Sequence, residues 1–571
     1  MKRKRVESKV TAVLRVLIAQ VMVVSFIGIF IAIIAHYFVA GIQYFEMFRG
    51  QQSYLLNFIG FQINLWTASL LLIAYLLVVA IRHFGQMSKW ESPADIIYCA
   101  QNPQQGMTIK KNILTIVASF VSLSGGASLG QYGPLVHLGG ALGIATAKWY
   151  EGFHLSRDVI IGCGVAAAIA AGFNAPIAAI IFAHEAVLRH FSARALALIS
   201  ISSVTASALN QFLFNPLDIF VLPADILVSP EMVVVSLLAG VGFGVSAILI
   251  IKLLFLVNKF ASHSRSNFRK LALFGLFYLL MISQIMPDAL GLGMGIVNDL
   301  FSNVEAAQTL IILLIIKLSA VILSATIGFS GGFVGPALFL GAVLGALMGH
   351  LAIAFGIMSL TTLLVVSGAA AVAGTVFGAP LAMVILVLEL THSYELSFSA
   401  MLSIVVSSLI FHLFYGHSLF DLQLLNRGID LSKGRIFLEL ETIKTMELKG
   451  KSFLTFTPDT STEILLEKMQ KAQQTECYCQ DEKGVFVGKI SIFDLISEPT
   501  NRAGMIADQS CLKLYSNQSI NEAITAISDF VGEGIPVVDF ESHRLLKVVS
   551  EGEIFEIFNT INKKVEQIEK K

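Results

Sequence analysis

Residues 172–185 read Gly172-Phe-Asn-Ala-Pro-Ile-Ala-Ala-Ile-Ile-Phe-Ala-His-Glu185, and residues 376–389 repeat this pattern as Val376-Phe-Gly-Ala-Pro-Leu-Ala-Met-Val-Ile-Leu-Val-Leu-Glu389. Pro176 and Pro380 lie 204 positions apart by subtraction. A second matching pair stands at nearly the same offset: Gly133-Pro-Leu-Val-His-Leu-Gly-Gly140 and Gly335-Pro-Ala-Leu-Phe-Leu-Gly-Ala342. The sequence therefore predicts two halves built on one plan, at about residues 60–215 and 232–425.

In both halves, a glycine-rich stretch is followed by proline and then by an apolar helix. The stretches are Ser124-Gly-Gly-Ala-Ser-Leu-Gly-Gln-Tyr-Gly-Pro134 and Gly328-Phe-Ser-Gly-Gly-Phe-Val-Gly-Pro336. Proline is favoured in the first turn of a helix, and glycine lets backbone amides approach a ligand closely. Helices that begin inside a membrane point positive N-terminal ends and free N–H groups at an anion. Non-helical backbone is tolerated there only where it lines a cavity or is buried in protein.

These interrupted helices predict an anion site made largely of backbone amides, at the interface of the repeats and near the middle of the membrane. An alternative role for the glycines is close helix packing, which is common in membrane proteins. A single glycine pair would favour packing. The matched offsets in the two halves favour the anion site.

The composition of the chain predicts a membrane domain followed by a soluble one. The 571 residues are 55% hydrophobic and 14% charged, with a mean hydropathy of +0.76. Long apolar runs, such as residues 10–35, 65–80, 233–256 and 309–327, are long enough to cross a bilayer as helices. We therefore expect a polytopic α-helical membrane domain over residues 1–430 and a soluble α/β domain over residues 436–571.

Charge patterning predicts the orientation and limits the partners. The basic start Met1-Lys-Arg-Lys-Arg precedes the first apolar run and predicts a cytoplasmic N-terminus. The soluble tail is most simply cytoplasmic too, which implies an even number of crossings. The formal net charge is zero, so nothing indicates nucleic acid as a partner. Cys477-Tyr-Cys479 lacks a second pair of ligands, so no metal site is predicted.

The membrane motifs resemble those of the CLC family of chloride channels and chloride/proton antiporters. The segments that carry the resemblance are Phe173-Asn-Ala-Pro176, Gly130-Gln-Tyr-Gly-Pro134, Gly331-Gly-Phe-Val-Gly-Pro336 and Leu386-Val-Leu-Glu-Leu-Thr391. The tail resembles a pair of CBS modules. The resemblance implies an inverted internal repeat with broken helices. It also implies a homodimer in the lipid bilayer, with one pathway for chloride or a similar anion in each subunit. No catalytic site and no required cofactor are implied.

Carried over position by position, the resemblance assigns the backbone amides of the anion pathway. The external site falls on Gln131, Tyr132 and Gly133, and the central site falls on Phe333 and Val334. Backbone amides persist when side chains change, so these assignments do not depend on residue type.

The side-chain positions depart from the family's usual pattern. The gating glutamate is replaced by Tyr132, the inner proton glutamate by Ala186, and the pore tyrosine by Phe420. The pore serine position falls on Glu91 or, with a shift of one residue, on Ser92, and the sequence leaves both open.

These departures predict a passive chloride channel that is uncoupled from protons. Tyrosine stays a neutral donor near neutral pH, and alanine has no titratable group, so neither shuttles protons readily. Loss of the hydroxyl at Phe420 weakens any central site, which suits conduction. One alternative is a proton-coupled antiporter with a path through His184. Another is a nucleotide-sensing membrane protein with a degenerate pore.

Other ionisable residues in apolar runs are candidates for function by default. His137 and Lys317 are two of these. The structural alternative for Lys317 is pairing with a buried carboxylate such as Glu185 or Glu389. For those two glutamates we expect hydrogen bonding at helix ends.

The tail contains two passages of similar order, Val485-Phe-Val-Gly-Lys-Ile-Ser-Ile-Phe-Asp-Leu495 and Arg544-Leu-Leu-Lys-Val-Val-Ser-Glu-Gly-Glu-Ile554. Each predicts a strand, then Ser-x-x-acid, then a helix. In CBS modules this motif contacts the ribose of adenine nucleotides. The resemblance places those contacts at Ser491, Asp494, Ser550 and Glu553, although the longer side chain of Glu553 departs from the usual aspartate. A dimerisation tail without ligand is the alternative.

Overall fold

The chain folds into two compact units, one ending at Ile429 and the other spanning Asp430–Lys570. The computed structural model describes residues 2–51, 55–58, 61–102, 105–147, 149, 155–214, 220, 222, 231–303, 305–357, 360–497 and 502–570. Residues 60 and 215, which bound the first predicted half, lie outside these ranges.

The first part of the membrane unit is helical apart from one short hairpin. Its elements are α1 (Lys2–Gln51), β1 (Leu55–Phe58), β2 (Phe61–Asn64), α2 (Leu65–Phe84), α3 (Pro93–Gln101), α4 (Ile109–Ser124), α5 (Tyr132–Ala147), α6 (Arg157–Phe173), α7 (Pro176–Phe182) and α8 (Ala193–Phe214). A π-helical segment, Ala183–Leu188, continues α7.

The second part repeats this series of helices. Its elements are α9 (Glu231–His263), α10 (Arg265–Ile285), α11 (Met294–Ser302), α12 (Ala307–Ile327), α13 (Val334–Ala354), α14 (Thr361–Phe377), α15 (Pro380–Thr391), α16 (Tyr394–Phe414) and α17 (Leu419–Leu425). Within the described ranges, eight helices are long and apolar enough to cross a membrane. The predicted polytopic helical membrane unit is confirmed.

The repeat extends to the local geometry at which helices end and begin. The caps of α6 and α14, Asn174 and Gly378, both adopt left-handed backbone conformations, with φ of 54° and 68°. This conformation ends a helix because it directs the chain away from the helix axis. The next helix then begins with Pro176 in one half and with Pro380 in the other. Proline suits this position because its missing N–H would have no intrahelical partner.

Close packing explains a second set of repeated glycines. A Cβ added at Gly139 of α5 would lie 2.2 Å from the carbonyl oxygen of Gly164 in α6. A Cβ added at Gly341 of α13 would lie 2.2 Å from the carbonyl oxygen of Gly368 in α14. These glycines therefore serve helix packing, the alternative role considered for the sequence. The glycines that precede α5 and α13 have a different role.

The second unit contains two copies of one βαββα arrangement. Its elements are α18 (Gly434–Thr442), β3 (Leu454–Phe456), α19 (Thr462–Ala472), β4 (Glu476–Gln480), β5 (Phe486–Ser491), α20 (Ile492–Ser497), β6 (Leu514–Tyr515), α21 (Ile520–Ala526), β7 (Ile535–Val538), β8 (Leu545–Val549) and α22 (Glu551–Lys570). The sheets have the orders β3-β4-β5 and β6-β7-β8. In each sheet the first pair is parallel and the second antiparallel. The duplication predicted in the tail is present.

A buried polar contact connects the two copies. The carboxylate of Glu476 in β4 accepts hydrogen bonds from the backbone N–H groups of Glu533 and Gly534, at 3.1 and 2.9 Å. It also pairs with Lys489 of β5 at 2.9 Å. This carboxylate thus satisfies backbone groups that precede β7 and fixes one copy against the other.

Candidate anion pathway

The two glycine-rich loops meet in a short backbone bridge. The N–H of Gly130 donates to the oxygen of Gly332, and the N–H of Gly332 donates to the oxygen of Gly130, each at 2.7 Å. A Cβ added at Gly332 would lie 2.5 Å from the backbone nitrogen of Gly133. Only glycine permits this approach, which brings the starts of α5 and α13 together.

The starts of these two helices have matched composition. Tyr132 and Gly133 are the first two residues of α5, and Pro134 follows. Phe333 caps α13, which begins with Val334. The first N–H groups of a helix have no intrahelical acceptor, and the helix dipole adds positive potential there. Two such ends converge at the bridge, which is the arrangement that an anion site needs.

A cavity of about 160 Å³ lies beside this bridge. It brings together six of the predicted pathway residues: Glu91, Ser92, Gly133, Phe333, Val334 and Phe420. The other lining residues include Thr115, Ser119 and Ser330, and the hydroxyls of Ser119 and Ser330 lie 2.8 Å apart. The cavity combines backbone at two helix starts with a partly polar wall.

Tyr132 lies outside that cavity, in an apolar environment. Its ring stacks on Phe173 with centroids 3.5 Å apart and planes inclined by 13°. The side chain is 3% exposed. Together with Val334, Met383 and others, it lines a space of only about 20 Å³, which is room for about one water molecule. A stacked aromatic pair therefore occupies the position assigned to the gate.

Gln131 precedes α5 and is also buried. Its side chain is 3% exposed, and its Oε1 has no hydrogen-bond partner among the described residues. It does not line the cavity. Its backbone oxygen accepts the N–H of Leu135 at 3.1 Å, so Gln131 forms part of the start of the helix.

Ser92 and Glu91 both line the cavity, but they make different hydrogen bonds. The hydroxyl and the N–H of Ser92 both donate to Asp95 Oδ2, at 3.0 and 2.8 Å, and cap α3. Asp95 in turn pairs with Arg427. The hydroxyl hydrogen of Ser92 is therefore committed to the cap. The N–H of Glu91 donates to Thr115 Oγ1 at 3.3 Å. An ionised carboxylate is an acceptor only, so the side chain of Glu91 is the group least suited to an anion.

Phe420 makes part of the cavity wall apolar. Its ring centroid lies 5.3 Å from that of Phe377, and both residues line the cavity. The side chain is 4% exposed. No hydroxyl is offered at this position, as the sequence requires.

His184 and Ala186 lie in the π-helical segment and do not line the cavity. Nδ1 of His184 lies 2.9 Å from the oxygen of Ile180, and its ring stacks on Phe191 at 5.2 Å. Ala186 is 4% exposed. Nδ1 of His184 therefore bonds within its own helical segment, to the residue four positions earlier.

The glutamate that ends each copy of the repeated motif binds the start of a helix in the other half. Glu389 of α15 accepts from the N–H groups of Ile177 and Ala178 at the start of α7, both at 2.8 Å. Glu185 accepts from the N–H groups of Leu381 and Ala382 at the start of α15, at 3.1 and 2.9 Å. The expectation of hydrogen bonding at helix ends is confirmed.

Lys317 does not pair with Glu185 or Glu389, which was the structural alternative considered for it. Its Nζ donates to the backbone oxygens of Ala289 and Gly291, at 3.0 and 2.9 Å. It also lies 4.7 Å from the centroid of the Phe339 ring. Backbone oxygens 28 and 26 positions earlier in the chain satisfy the buried ammonium, and no residue type in the sequence indicates such partners.

The tail residues proposed for ribose contact cap their own helices. The N–H of Ser491 donates to Asp494 at 2.9 Å, and Ser491 Oγ accepts from the N–H of Phe493 at 3.1 Å. In the second copy, Ser550 Oγ accepts from the N–H of Glu553 at 3.3 Å. The carboxylate of Glu553 accepts the N–H of Gly450 at 2.9 Å, so it already has a backbone partner.

Sequence reasoning did not assign several residues that line the cavity, among them Thr115, Ser119, His137 and Gln423. For His137 a signal was available: it follows Gly133 by four positions, and residues four apart share a helix face. The others come from α4 and α17, whose approach to the loops is a tertiary feature.

Comparison with known proteins places this architecture in a family. The family model described as "Voltage gated chloride channel" matches residues 70–412, more than half of the chain. The ClcB-like chloride channel protein of Ralstonia nicotianae is 29% identical over 314 residues, 54% of this chain and 73% of that protein. The H(+)/Cl(-) exchange transporter ClcA of Vibrio campbellii is 26% identical over 434 residues, 72% of this chain and 90% of that protein.

A solved structure shares the fold over most of the length. The crystal structure of a eukaryotic CLC transporter superposes with a TM-score of 0.59 at 17% identity, covering 94% of this chain and 98% of that chain. The paired loops, the matched helix starts and the family match lead to one conclusion: this chain belongs to the CLC family of voltage-gated chloride channels and has the CLC transporter fold.

Proposed function

We propose that this protein is a passive chloride channel that does not couple chloride movement to protons. The observation that carries the proposal is the absence of a carboxylate at both proton-handling positions, which hold Tyr132 and Ala186. A tyrosine packed flat on Phe173 is a steric and neutral element. Neither residue takes up and releases a proton near neutral pH.

The cavity supports conduction because its anion-directed groups are few. Backbone at Gly133, Phe333 and Val334 supplies the favourable potential, while Phe420 offers no hydroxyl. One hydrogen bond to a charged group contributes about 1.5–3 kcal/mol, so its loss shortens the residence of the ion. Conduction needs sites that ions leave as well as enter.

A second candidate is proton-coupled exchange, the activity named for the relative from Vibrio campbellii. Glu91 favours this candidate, because it is a titratable residue that lines the cavity. His184, the residue first considered for such a path, contacts Ile180 and Phe191 instead. A nucleotide-sensing protein with a closed pore is the third alternative, and it predicts no flux.

Anion flux from reconstituted vesicles, with simultaneous recording of external pH, separates the three candidates. With a chloride gradient, a channel releases chloride only when a potassium ionophore balances charge, and the external pH stays constant. Stoichiometric proton uptake that a protonophore abolishes would contradict the channel and support the exchanger. Absence of flux from a folded protein would support the closed pore.

We also propose that the tail is a tandem CBS pair that binds an adenine nucleotide. A second proposal is that the protein is a homodimer with both termini in the cytoplasm. The duplicated βαββα arrangement supports the first proposal. Asp494 keeps the aspartate of the motif and bonds within it to Ser491, whereas the longer Glu553 bonds outside its motif to Gly450, so binding should depend on Asp494 more than on Glu553. Calorimetry of the full chain with ATP, ADP and AMP tests this: Asp494→Ala should abolish the heat, and absence of heat in the wild type would leave a structural tail.

A further inference from the structure

His137 occupies an unusual position in the anion pathway. It belongs to α5, one turn after Gly133, and it lines the cavity together with Gly133, Phe333 and Val334. Its side chain is 1% exposed. The imidazole is thus enclosed by protein and borders the space that the two helix starts face.

Neither ring nitrogen of His137 has a hydrogen-bond partner among the described residues. A neutral imidazole carries one N–H donor and one acceptor, and a protonated ring carries two donors. Buried polar groups are nearly always satisfied by protein, water or a ligand. An enclosed ring without protein partners, on the wall of a cavity, indicates that an occupant of the cavity satisfies it.

Two other polar groups that line the cavity donate their hydrogens to protein acceptors. Trp90 Nε1 donates to the oxygen of Gly328 at 2.8 Å, and the hydroxyl of Ser92 donates to Asp95. Phe420 has no hydrogen to donate, and the carboxylate of Glu91 is an acceptor when charged. His137 therefore has an N–H that remains available for an anion in this cavity.

The other half of the molecule shows that the repeat itself does not require histidine here. Position 137 follows Gly133 by four residues, as Phe339 follows Gly335. Phe339 is fully buried, and its ring packs under the ammonium of Lys317. An apolar ring satisfies the plan of the fold in one half, so the polar ring in the other half has a separate role.

We propose that His137 is a side-chain ligand for the anion in this cavity, donating a ring N–H to chloride where the pathway lacks the hydroxyl at Phe420. The proposal rests on the chloride pathway described above and adds a residue to it. It does not depend on whether transport is coupled to protons. The occupant recognised by this chemistry is a small monovalent anion, held by two helix starts and one imidazole N–H.

Calorimetric titration of chloride into the detergent-purified full chain, in chloride-free buffer, tests the proposal. His137→Leu should weaken chloride binding about tenfold or more, as expected for loss of one hydrogen bond to a charged group. His137→Gln keeps an N–H donor and should retain affinity to within about threefold. His36→Phe is the matched control: Nδ1 of His36 bonds to Asn210, and His36 does not line the cavity.

Wild-type affinity in His137→Leu would overturn the ligand role. Equal weakening in His137→Gln and His137→Leu, with unchanged melting temperatures, would also overturn it, because a structural role would then account for both. If the leucine variant is not recovered folded, His137→Phe replaces it, since phenylalanine occupies the equivalent position of the other half. Proton-coupled flux with weakened binding in His137→Leu would refute the channel and leave the ligand role standing.

Discussion

The two halves of the membrane unit share a backbone plan and differ in the side chains at the starts of their central helices. Both have Gly-Pro in the first turn of the central helix, and both end the repeated motif in a glutamate that binds the opposite half. At the first residue of the central helix, however, one half has Tyr132 and the other has Val334. Five residues later they have His137 and Phe339. The comparison supports the proposals that backbone common to both halves forms the anion site and that the side chains of the first half determine the mechanism.

The largest effect is expected at the backbone bridge between Gly130 and Gly332, where the glycine-rich loops of the two halves meet. We expect Gly332→Val to reduce chloride flux at least tenfold, because its Cβ would lie 2.5 Å from the nitrogen of Gly133. Overpacking of this kind typically costs about 1–3 kcal/mol and shifts backbone. Gly295→Ala, where a Cβ meets nothing within 4 Å, is the control. Flux per folded protein in vesicles is the measurement, and normal flux in Gly332→Val would refute a site built on this contact.

Glu185 and Glu389, each of which binds a helix start in the other half, test whether the two halves are equivalent. Glu185→Ala and Glu389→Ala each leave two backbone N–H groups at a helix start without their acceptor. Each substitution should destabilise the protein by about 1–3 kcal/mol per unsatisfied group. The melting temperature of the detergent-purified protein should fall by similar amounts, and that of Glu305→Ala, at an exposed site, should not change. A large effect in only one half would show that the halves are not equivalent.

The difference between the halves is tested at Tyr132. Tyr132→Ala removes the ring stacked on Phe173 and should raise chloride flux by up to about tenfold, equivalent to about 1.4 kcal/mol of barrier, or leave it unchanged. Tyr132→Glu adds a carboxylate that competes with the anion when charged, so flux should fall as pH rises through its pKa. Proton coupling should remain absent because Ala186 is unchanged. If Tyr132→Ala abolishes flux in a folded protein, the ring is a ligand and not a barrier.

The smallest expected effect concerns Glu91, an acidic residue that lines the cavity and whose negative charge opposes an anion. Glu91→Gln removes a negative charge from the cavity wall and should strengthen chloride binding on the order of a few-fold, since like charges repel through the cavity. Chloride calorimetry on the full chain measures this, with Glu305→Gln as control. Weaker binding in Glu91→Gln would mean that the carboxylate orders the site instead of opposing the anion.

Local sequence was sufficient for the elements but not for their partners. Pro176 and Pro380 predicted where two helices begin, because the backbone preference of proline acts within a few residues. The expected hydrogen bonding of Glu185 and Glu389 was correct, but the acceptors and donors lie about 200 positions apart and carry no local signal. The carboxylate pairing considered as an alternative for Lys317 does not occur. Its acceptors are backbone oxygens 28 and 26 positions earlier, and no residue type marks a backbone acceptor in the sequence.

The site was predictable to the extent that it consists of backbone. Gly133, Phe333 and Val334 line one cavity because repeated motifs fix the starts of α5 and α13. The side-chain contributions were less predictable. Whether Glu91 or Ser92 faces the ion could not be read from a motif, and the commitment of the Ser92 hydroxyl to Asp95 follows from the cap of α3.

The reversal potential of the current in a planar bilayer tests uncoupled conduction most directly. With a tenfold chloride gradient and equal pH on both sides, a passive chloride pathway should reverse at the chloride equilibrium potential, about 59 mV in magnitude. Imposing a pH gradient should leave that value unchanged, because Tyr132 and Ala186 provide no proton path. A reversal potential that lies well short of the chloride value and shifts with the pH gradient would contradict the channel and establish exchange.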